Sequence, residues 1–173
     1  MGRTAKHRGV KLDRVLVGVV ARFAAAFLVL AGAIIAIDSV GGWRSSRLAL
    51  ATTVTRLSGA TGVAAVQAGT LIRVPGRTLS IDLACTAIFI VALYVALIAA
   101  YPVSKRARLV GIAIGVPVII AFNVARVVGA AEVAQFAPSA FGFVHDYVFE
   151  VAMMLLTVGL WAGWLSYARA DAR

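Results

Sequence analysis

The chain has 173 residues, of which 62% are hydrophobic and 14% charged, and its mean hydropathy is +0.96. These values exclude an ordinary soluble domain and leave room for about four membrane-spanning helices of ~20 residues each. The formal charge of +10 arises mainly from basic residues that flank apolar segments, so we predict topology signals and no nucleic-acid binding. One cysteine with one nearby histidine supplies too few ligands for a structural zinc site, and neither a metal nor a cofactor is predicted.

The first predicted elements are a basic cytoplasmic tail, residues 1–14, and an apolar span, residues 15–37. Arg22 interrupts the span, but its long side chain can reach the nearer membrane interface. A small-x-small pattern at 31–33 is also typical of a signal-peptide cleavage site. Because the apolar run continues past that site, we favour a retained signal anchor.

Residues 38–82 are predicted to form an external segment. Its stretch at 48–72 is apolar enough to suggest a fifth span, but it contains Arg56, Gln67 and many small polar residues. We therefore predict that Leu48 to Gln67 form an amphipathic helix that lies on the outer membrane surface. A short extended pair follows around the sequence LIRVPGRTLSID, with Pro75-Gly76 as its turn.

Three further spans are predicted at about 83–101, 109–128 and 145–166, followed by a cytoplasmic tail at 169–173. They form a predicted three-helix catalytic core, residues 83–168, and each is long enough to cross ~30 Å at ~1.5 Å per residue. GxxxG patterns at 111–115 and 159–163 predict close packing of the last two spans.

The distribution of basic residues predicts the orientation of the chain. The two tails and the turn at 102–108 hold ten of the 17 Lys and Arg residues, whereas the external segment holds five. The positive-inside rule therefore puts both termini in the cytoplasm. The predicted fold is an all-α integral membrane protein, a bundle of four transmembrane helices with a short external amphipathic helix and an extended pair before the second span.

Helical rise predicts that three reactive side chains lie at the outer face. Counted from the nearest basic cytoplasmic residue, Cys85, Arg126 and His145 lie ~30, ~27 and ~36 Å along their helices. A thiol nucleophile, a cation at the oxyanion and an imidazole that moves the proton make up a cysteine acyl-transfer centre. Arg126 would depress the thiol pKa, which apolar burial would raise. Each residue alone also suits packing, interfacial anchoring or a polar helix start, and their convergence leaves both interpretations open.

Three other polar residues are predicted to support this set. Glu150 lies ~7.5 Å inward from His145, where a charge is costly unless paired, and Arg126 is its expected partner. Structural and catalytic roles for Glu150 both stay open. Asn123 shares a helix face with Arg126 and is expected to hydrogen-bond across the bundle, while Asp146 directly follows His145.

The motifs at these positions resemble those of the exosortase/archaeosortase family of membrane transpeptidases. The matching stretches are GTLIRVPGRTLSIDLACTA, NVARVVG and VHDYVFE, which together with the intervening spans cover about residues 66–165. By this resemblance the family's catalytic Cys, Arg and His carry over to Cys85, Arg126 and His145. The family commonly has Ser or Asn and then Gly after its Cys, where this chain has Thr86 and Ala87.

The resemblance implies a cysteine peptidase or transpeptidase, multi-pass in the cytoplasmic membrane of a bacterium or archaeon, with its active site facing outward. Its partners would be membrane lipid and secreted proteins with a C-terminal tag, made of a short motif, one transmembrane helix and a basic end. The enzyme would cut this tag near the outer face and pass the acyl group to an acceptor. A non-catalytic scaffold or assembly subunit in envelope biogenesis is the alternative, and a transporter is a third possibility, although no internal repeat is evident.

Overall fold

The computed structural model describes residues 3–171, with side chains from residue 16 onward, so parts of the predicted tails 1–14 and 169–173 lie outside the described residues. Its helices in chain order are α1 Arg3–Ser39, α2 Arg44–Ala60, α3 Ile88–Ala100, α4 Lys105–Phe136, α5 Phe141–Phe143 and α6 Phe149–Asp171. Its strands are β1 Val66–Ala68, β2 Leu71–Val74 and β3 Arg77–Ser80. Single 3₁₀ turns at Ala84–Thr86 and Pro138–Ala140 and a π-helical turn at Val144–Val148 complete the chain.

Three helical segments of the described chain are long and apolar enough to cross a membrane: Leu16–Ser39, Lys105–Phe136 and Pro138–Asp171. The fourth apolar helix, α3, has 13 residues and a length of only ~20 Å. The predicted span at 83–101 is longer than this helix, because the backbone leaves the helical conformation at Ala87, whose φ is +55°. The chain is thus a mostly helical membrane protein with three helices of spanning length and one short one.

Helix α3 runs antiparallel to α4. At one end the Arg108 guanidinium donates a 3.1 Å hydrogen bond to the carbonyl of Tyr101, and at the other the Asn123 amide donates a 2.7 Å bond to the carbonyl of Cys85. Between these contacts α4 rises ~22 Å. Cys85 and Tyr101 therefore lie at opposite ends of the bundle.

Helix α6 also runs antiparallel to α4, because Trp164 near its end donates to the carbonyl of Ala107 at 2.7 Å and Glu150 near its start accepts a hydrogen bond from Arg126. The GxxxG prediction is half correct. A side chain at Gly111 or Gly115 would overlap Trp164 or Tyr94, whereas Gly159 and Gly163 have no neighbour within 4 Å of an added Cβ. The glycines of α4 therefore pack closely against aromatic rings, and the two glycine motifs do not pack against each other.

Three helical segments begin or end at other residues than the predicted helix and spans. Helix α2 ends at Ala60 instead of Gln67, because Gly62 takes a φ of +84° and turns the chain toward the sheet. Helix α4 continues beyond residue 128 to Phe136, where the following Ala137-Pro138 ends it. The last helical segment begins at Pro138 rather than near residue 145, so a π-helical turn replaces the expected helix start.

The extended pair is a three-stranded antiparallel sheet of order β1-β2-β3. Its two-residue turns contain Gly69 and Gly76 at φ +65° and +78°, conformations that favour glycine. One face of the sheet is buried against α2 and the last turns of α4. That core contains Ile72, Val74 and Ile81 of the sheet region and Val127, Ala131 and Ala134 of α4.

Candidate active site

The backbone at Cys85 forms a 3₁₀ turn that joins the sheet to α3. The Asp82 carboxylate accepts a 3.1 Å hydrogen bond from the Cys85 N–H, the i to i+3 contact by which an Asp caps a helical turn. The Asn123 amide holds the Cys85 carbonyl from the side of α4. Cys85 is therefore fixed on both sides of its backbone, and Asn123 is buried while making this contact.

The Cys85 thiol is half-buried and donates to the carbonyl of Ser80 at 3.7 Å. Because the sulfur donates this hydrogen bond, it carries its proton, and a base must remove that proton before the sulfur can attack.

Arg126 projects from α4 toward the first turn of α6. Its guanidinium donates a 2.6 Å hydrogen bond to the Glu150 carboxylate, so the ion pair expected from the sequence is present. The Arg126 side chain is 11% exposed and that of Glu150 is 44% exposed. The pair therefore joins a nearly buried cation to a half-exposed anion.

His145 lies in the π-helical turn, a feature that often marks functional sites because it shifts side chains out of the regular helical register. Its Nδ1 lies 2.8 Å from the Asp146 carboxylate. On one face its ring stacks on Phe141, with centroids 5.3 Å apart and planes at 18°. The guanidinium carbon of Arg77 lies 4.3 Å from the centroid of that phenyl ring. These contacts connect the sheet to the imidazole through an aromatic ring.

The side chains of Cys85, Arg126 and His145 line one cavity of about 240 Å³. The remaining lining residues are Arg77, Thr78, Leu79, Ser80, Ile81 and Asp82 from the sheet region, Val127 and Ala130 from α4, and Phe141. Asn123, Asp146 and Glu150 lie outside the lining and act on it through their hydrogen bonds to Cys85, His145 and Arg126. Within residues 16–171 no three His, Cys, Asp or Glu side chains are grouped as a metal site would require.

Three residues of this cavity, Asp82, Phe141 and Arg77, were not among the predicted site residues. The Asp82-x-x-Cys85 spacing is a capping signal and was visible in the sequence. Phe141 and His145 have the i, i+4 spacing of helical neighbours, but a helix that begins at His145 does not include Phe141. Arg77 gave no local signal, because its contact with Phe141 depends on how the sheet lies against α4.

Comparison with curated proteins and with solved structures found no match. A family model described as "Transmembrane exosortase (Exosortase_EpsH)" matches residues 12–163, which is most of the chain. The match includes the sheet, the cavity and all the helices from α2 to α5. The chain belongs to the transmembrane exosortase family.

Proposed function

We propose that this protein is a membrane-embedded cysteine transpeptidase that cleaves the C-terminal sorting tag of secreted proteins at the outer face of the cytoplasmic membrane. The observation that carries the proposal is the shared cavity, into which three separate parts of the chain bring Cys85, Arg126 and His145. Family membership supports the transpeptidase class. The arrangement suits acyl transfer because it combines a nucleophile, a proton carrier and a cation.

In the proposed reaction, His145 takes the proton of the Cys85 thiol, and the thiolate attacks the carbonyl carbon of the scissile peptide. The negative charge that develops on the carbonyl oxygen is stabilised by Arg126. The C–N bond then breaks, the leaving amine takes the proton from His145, and the acyl group stays on sulfur as a thioester. A nucleophile from the acceptor attacks the thioester and restores the thiol.

The supporting residues fit this division of labour. Glu150 accepts from one Nη of Arg126, and a guanidinium has five N–H donors, so others can face an oxyanion. Asp146 orients the imidazole through Nδ1, which leaves Nε2 to exchange a proton with the thiol. Asn123 fixes the carbonyl of the nucleophile's own residue, so its loss would displace the thiol.

The proposed topology has four spans, 15–37, 83–101, 109–128 and 145–166, with 38–82 outside and both tails in the cytoplasm. The antiparallel contacts between α3 and α4 support a fourth crossing, because the 3₁₀ turn and α3 together lie along α4 for ~22 Å.

Single cysteines at Ser46, Ser104 and Ser139 in a Cys85→Ala background test this topology. A membrane-impermeant thiol reagent applied to intact cells should label Ser46→Cys and Ser139→Cys, and labelling of Ser104→Cys would contradict the model.

The reaction is tested by comparing strains that carry wild-type protein, Cys85→Ala or Cys85→Ser. Mass spectrometry would follow the C-termini of envelope proteins that end in one transmembrane helix and a basic segment. We expect cleaved C-termini only with wild type, because a serine hydroxyl is a much poorer nucleophile without a strong base. Equal amounts of the three proteins in the membrane provide the control. Normal cleavage with Cys85→Ala would leave a non-catalytic scaffold as the better explanation.

A further inference from the structure

The outer edge of β3 faces the candidate active site and has no strand beside it. Among residues 3–171 the sheet order is β1-β2-β3, so β3 is an edge strand. Its turn connects Val74 to Arg77 through two residues, and such a turn closes with a hydrogen-bonded pair. Because hydrogen-bonded and non-hydrogen-bonded pairs alternate along an antiparallel strand, the N–H and C=O groups of Arg77, Leu79 and Ile81 point toward β2. The N–H and C=O groups of Thr78 and Ser80 point away from the sheet.

Two independent contacts confirm this alternation. The Ile81 N–H donates to the carbonyl of Thr70 at 2.9 Å, which extends the hydrogen-bonded series toward β2. The Ser80 carbonyl accepts from the Cys85 thiol, so it points out of the sheet and toward the nucleophile. The free edge and the candidate nucleophile therefore meet at Ser80.

The cavity meets β3 along this edge and not along one face. A surface that covers one face of a strand touches alternate residues, because side chains alternate between the two faces. Here residues 77–82 line the cavity without a break. Arg126 and Ala130 of α4 line the same cavity, with Phe141 and His145. The unpaired peptide groups of the β3 edge therefore share one cavity with the proposed catalytic cation and base.

We propose that an extended segment of the substrate, next to its scissile bond, pairs with the edge of β3 as a fourth antiparallel or parallel strand of this sheet. The proposal rests on the proposed function for the identity of the substrate, but the pairing itself concerns any extended peptide in this cavity. Backbone hydrogen bonds to Thr78 and Ser80 provide affinity that is independent of sequence, as in other cases of β-strand addition.

Strand pairing also explains the resting contact of the thiol. An S–H group is a weak donor, and the 3.7 Å bond to Ser80 is long. A peptide N–H that pairs with β3 takes the Ser80 carbonyl as its acceptor. The thiol then loses its partner on the sheet and becomes free to give its proton to His145. Substrate binding and release of the nucleophile are therefore one event at Ser80.

The test uses a thiol-reactive peptide, acetyl-tetra-alanine chloromethyl ketone, whose chloride is displaced by the sulfur of Cys85. The rate at which this peptide labels detergent-solubilised protein is divided by the rate for chloroacetamide, which reports thiol reactivity without a peptide backbone.

Thr78→Pro removes the outward N–H but no hydrogen bond to β2, a change that edge strands tolerate. Thr78→Ala removes the same hydroxyl and keeps the N–H. Gln67→Pro is the matched control, because Gln67 holds the equivalent outward position on β1, at the opposite edge of the sheet.

We expect the normalised rate of Thr78→Pro to be about tenfold below that of Thr78→Ala, as for the loss of one or two hydrogen bonds, and that of Gln67→Pro to equal wild type. Wild-type protein is also treated with two probes that are N-methylated at adjacent residues. Since only every second residue of a paired strand faces β3, one probe should slow about tenfold and its neighbour should not. This second arm decides the question even where Thr78→Pro fails to fold.

Equal normalised rates for Thr78→Pro and Thr78→Ala, or equal rates for the two methylated probes, would overturn strand pairing. Neither measurement depends on a sorting tag. If envelope proteins are cleaved without Cys85 while the probes show the alternation, the proposed function fails and the strand-pairing site remains.

Discussion

The Arg126–Glu150 ion pair provides the sharpest test of the energetics at this site. Glu150→Gln keeps the size of the side chain and a neutral acceptor but deletes the charge, whereas Arg126→Gln deletes the cation and shortens the side chain. Because the two partners differ in exposure, at 11% for Arg126 and 44% for Glu150, the two changes should not cost the same.

The magnitudes follow from what each change leaves behind. Glu150→Gln leaves a nearly buried guanidinium without its anion, and hydrogen bonds to charged groups contribute about 1.5–3 kcal/mol. Full burial of both partners would raise this cost to about 3–5 kcal/mol, but Glu150 is too exposed for that value. Arg126→Gln leaves a carboxylate that the protein covers only in part, so we expect the smaller loss, about 1 kcal/mol. The coupling free energy between the residues should be about 1–2 kcal/mol.

Melting of wild type, both single variants and the double variant in detergent micelles gives all three quantities. Glu132→Gln is the control for the chemical change itself, because Glu132 lies on α4 and forms no ion pair among the described side chains. It should shift the melting midpoint little. If the losses of the two single variants add up to that of the double variant within about 0.5 kcal/mol, Arg126 and Glu150 do not interact. A larger loss of stability for Arg126→Gln than for Glu150→Gln would refute the argument from exposure.

Two further predictions concern the backbone and the packing. Ala87→Gly should change the stability little, because relief of the strain at φ +55°, about 1–2 kcal/mol, is offset by the loss of a buried methyl group, about 0.8 kcal/mol, and by the greater freedom of glycine in the unfolded chain, about 0.5–1 kcal/mol. A loss of about 1.5 kcal/mol or more in thermal unfolding would mean that Ala87 is not strained. Gly115→Ala should destabilise the protein by more than about 1 kcal/mol, because its Cβ would overlap the Tyr94 ring. Gly159→Ala should be near neutral, because no atom lies within 4 Å of an added Cβ there. Similar melting of the two variants would contradict this packing.

The depth of the polar residues could be predicted from the sequence, because helical rise is nearly constant. Counting along the last span puts Glu150 ~7.5 Å inward from His145 and makes Arg126 its expected partner, and the structure pairs the two at 2.6 Å. It also placed Asn123 on the face that crosses the bundle, where it reaches the carbonyl of Cys85. These predictions needed only direction and length, which composition and charge supply.

The short elements could not be predicted in the same way. Strand β1 has only three residues, and so short a run shows no hydrophobic periodicity that would separate Gln67 from the preceding helix. The extension of α4 to Phe136 was missed because hydropathy marks where a membrane ends, whereas a helix ends at a backbone signal such as Pro138. The contact of Arg77 with Phe141 joins residues far apart in sequence, and only the packing of the sheet determines it.

That unexpected length of α4 explains how the candidate site is assembled. Beyond Asn123 the helix continues for about thirteen residues, or ~20 Å, and this part carries both Arg126 and the core residues Val127 and Ala131 that contact the sheet. The edge of β3 and the guanidinium therefore take their positions from the same rigid helix. A substrate strand held by β3 is for that reason held at a fixed distance from the cation that would stabilise its oxyanion, and no motion of a loop is needed to bring them together.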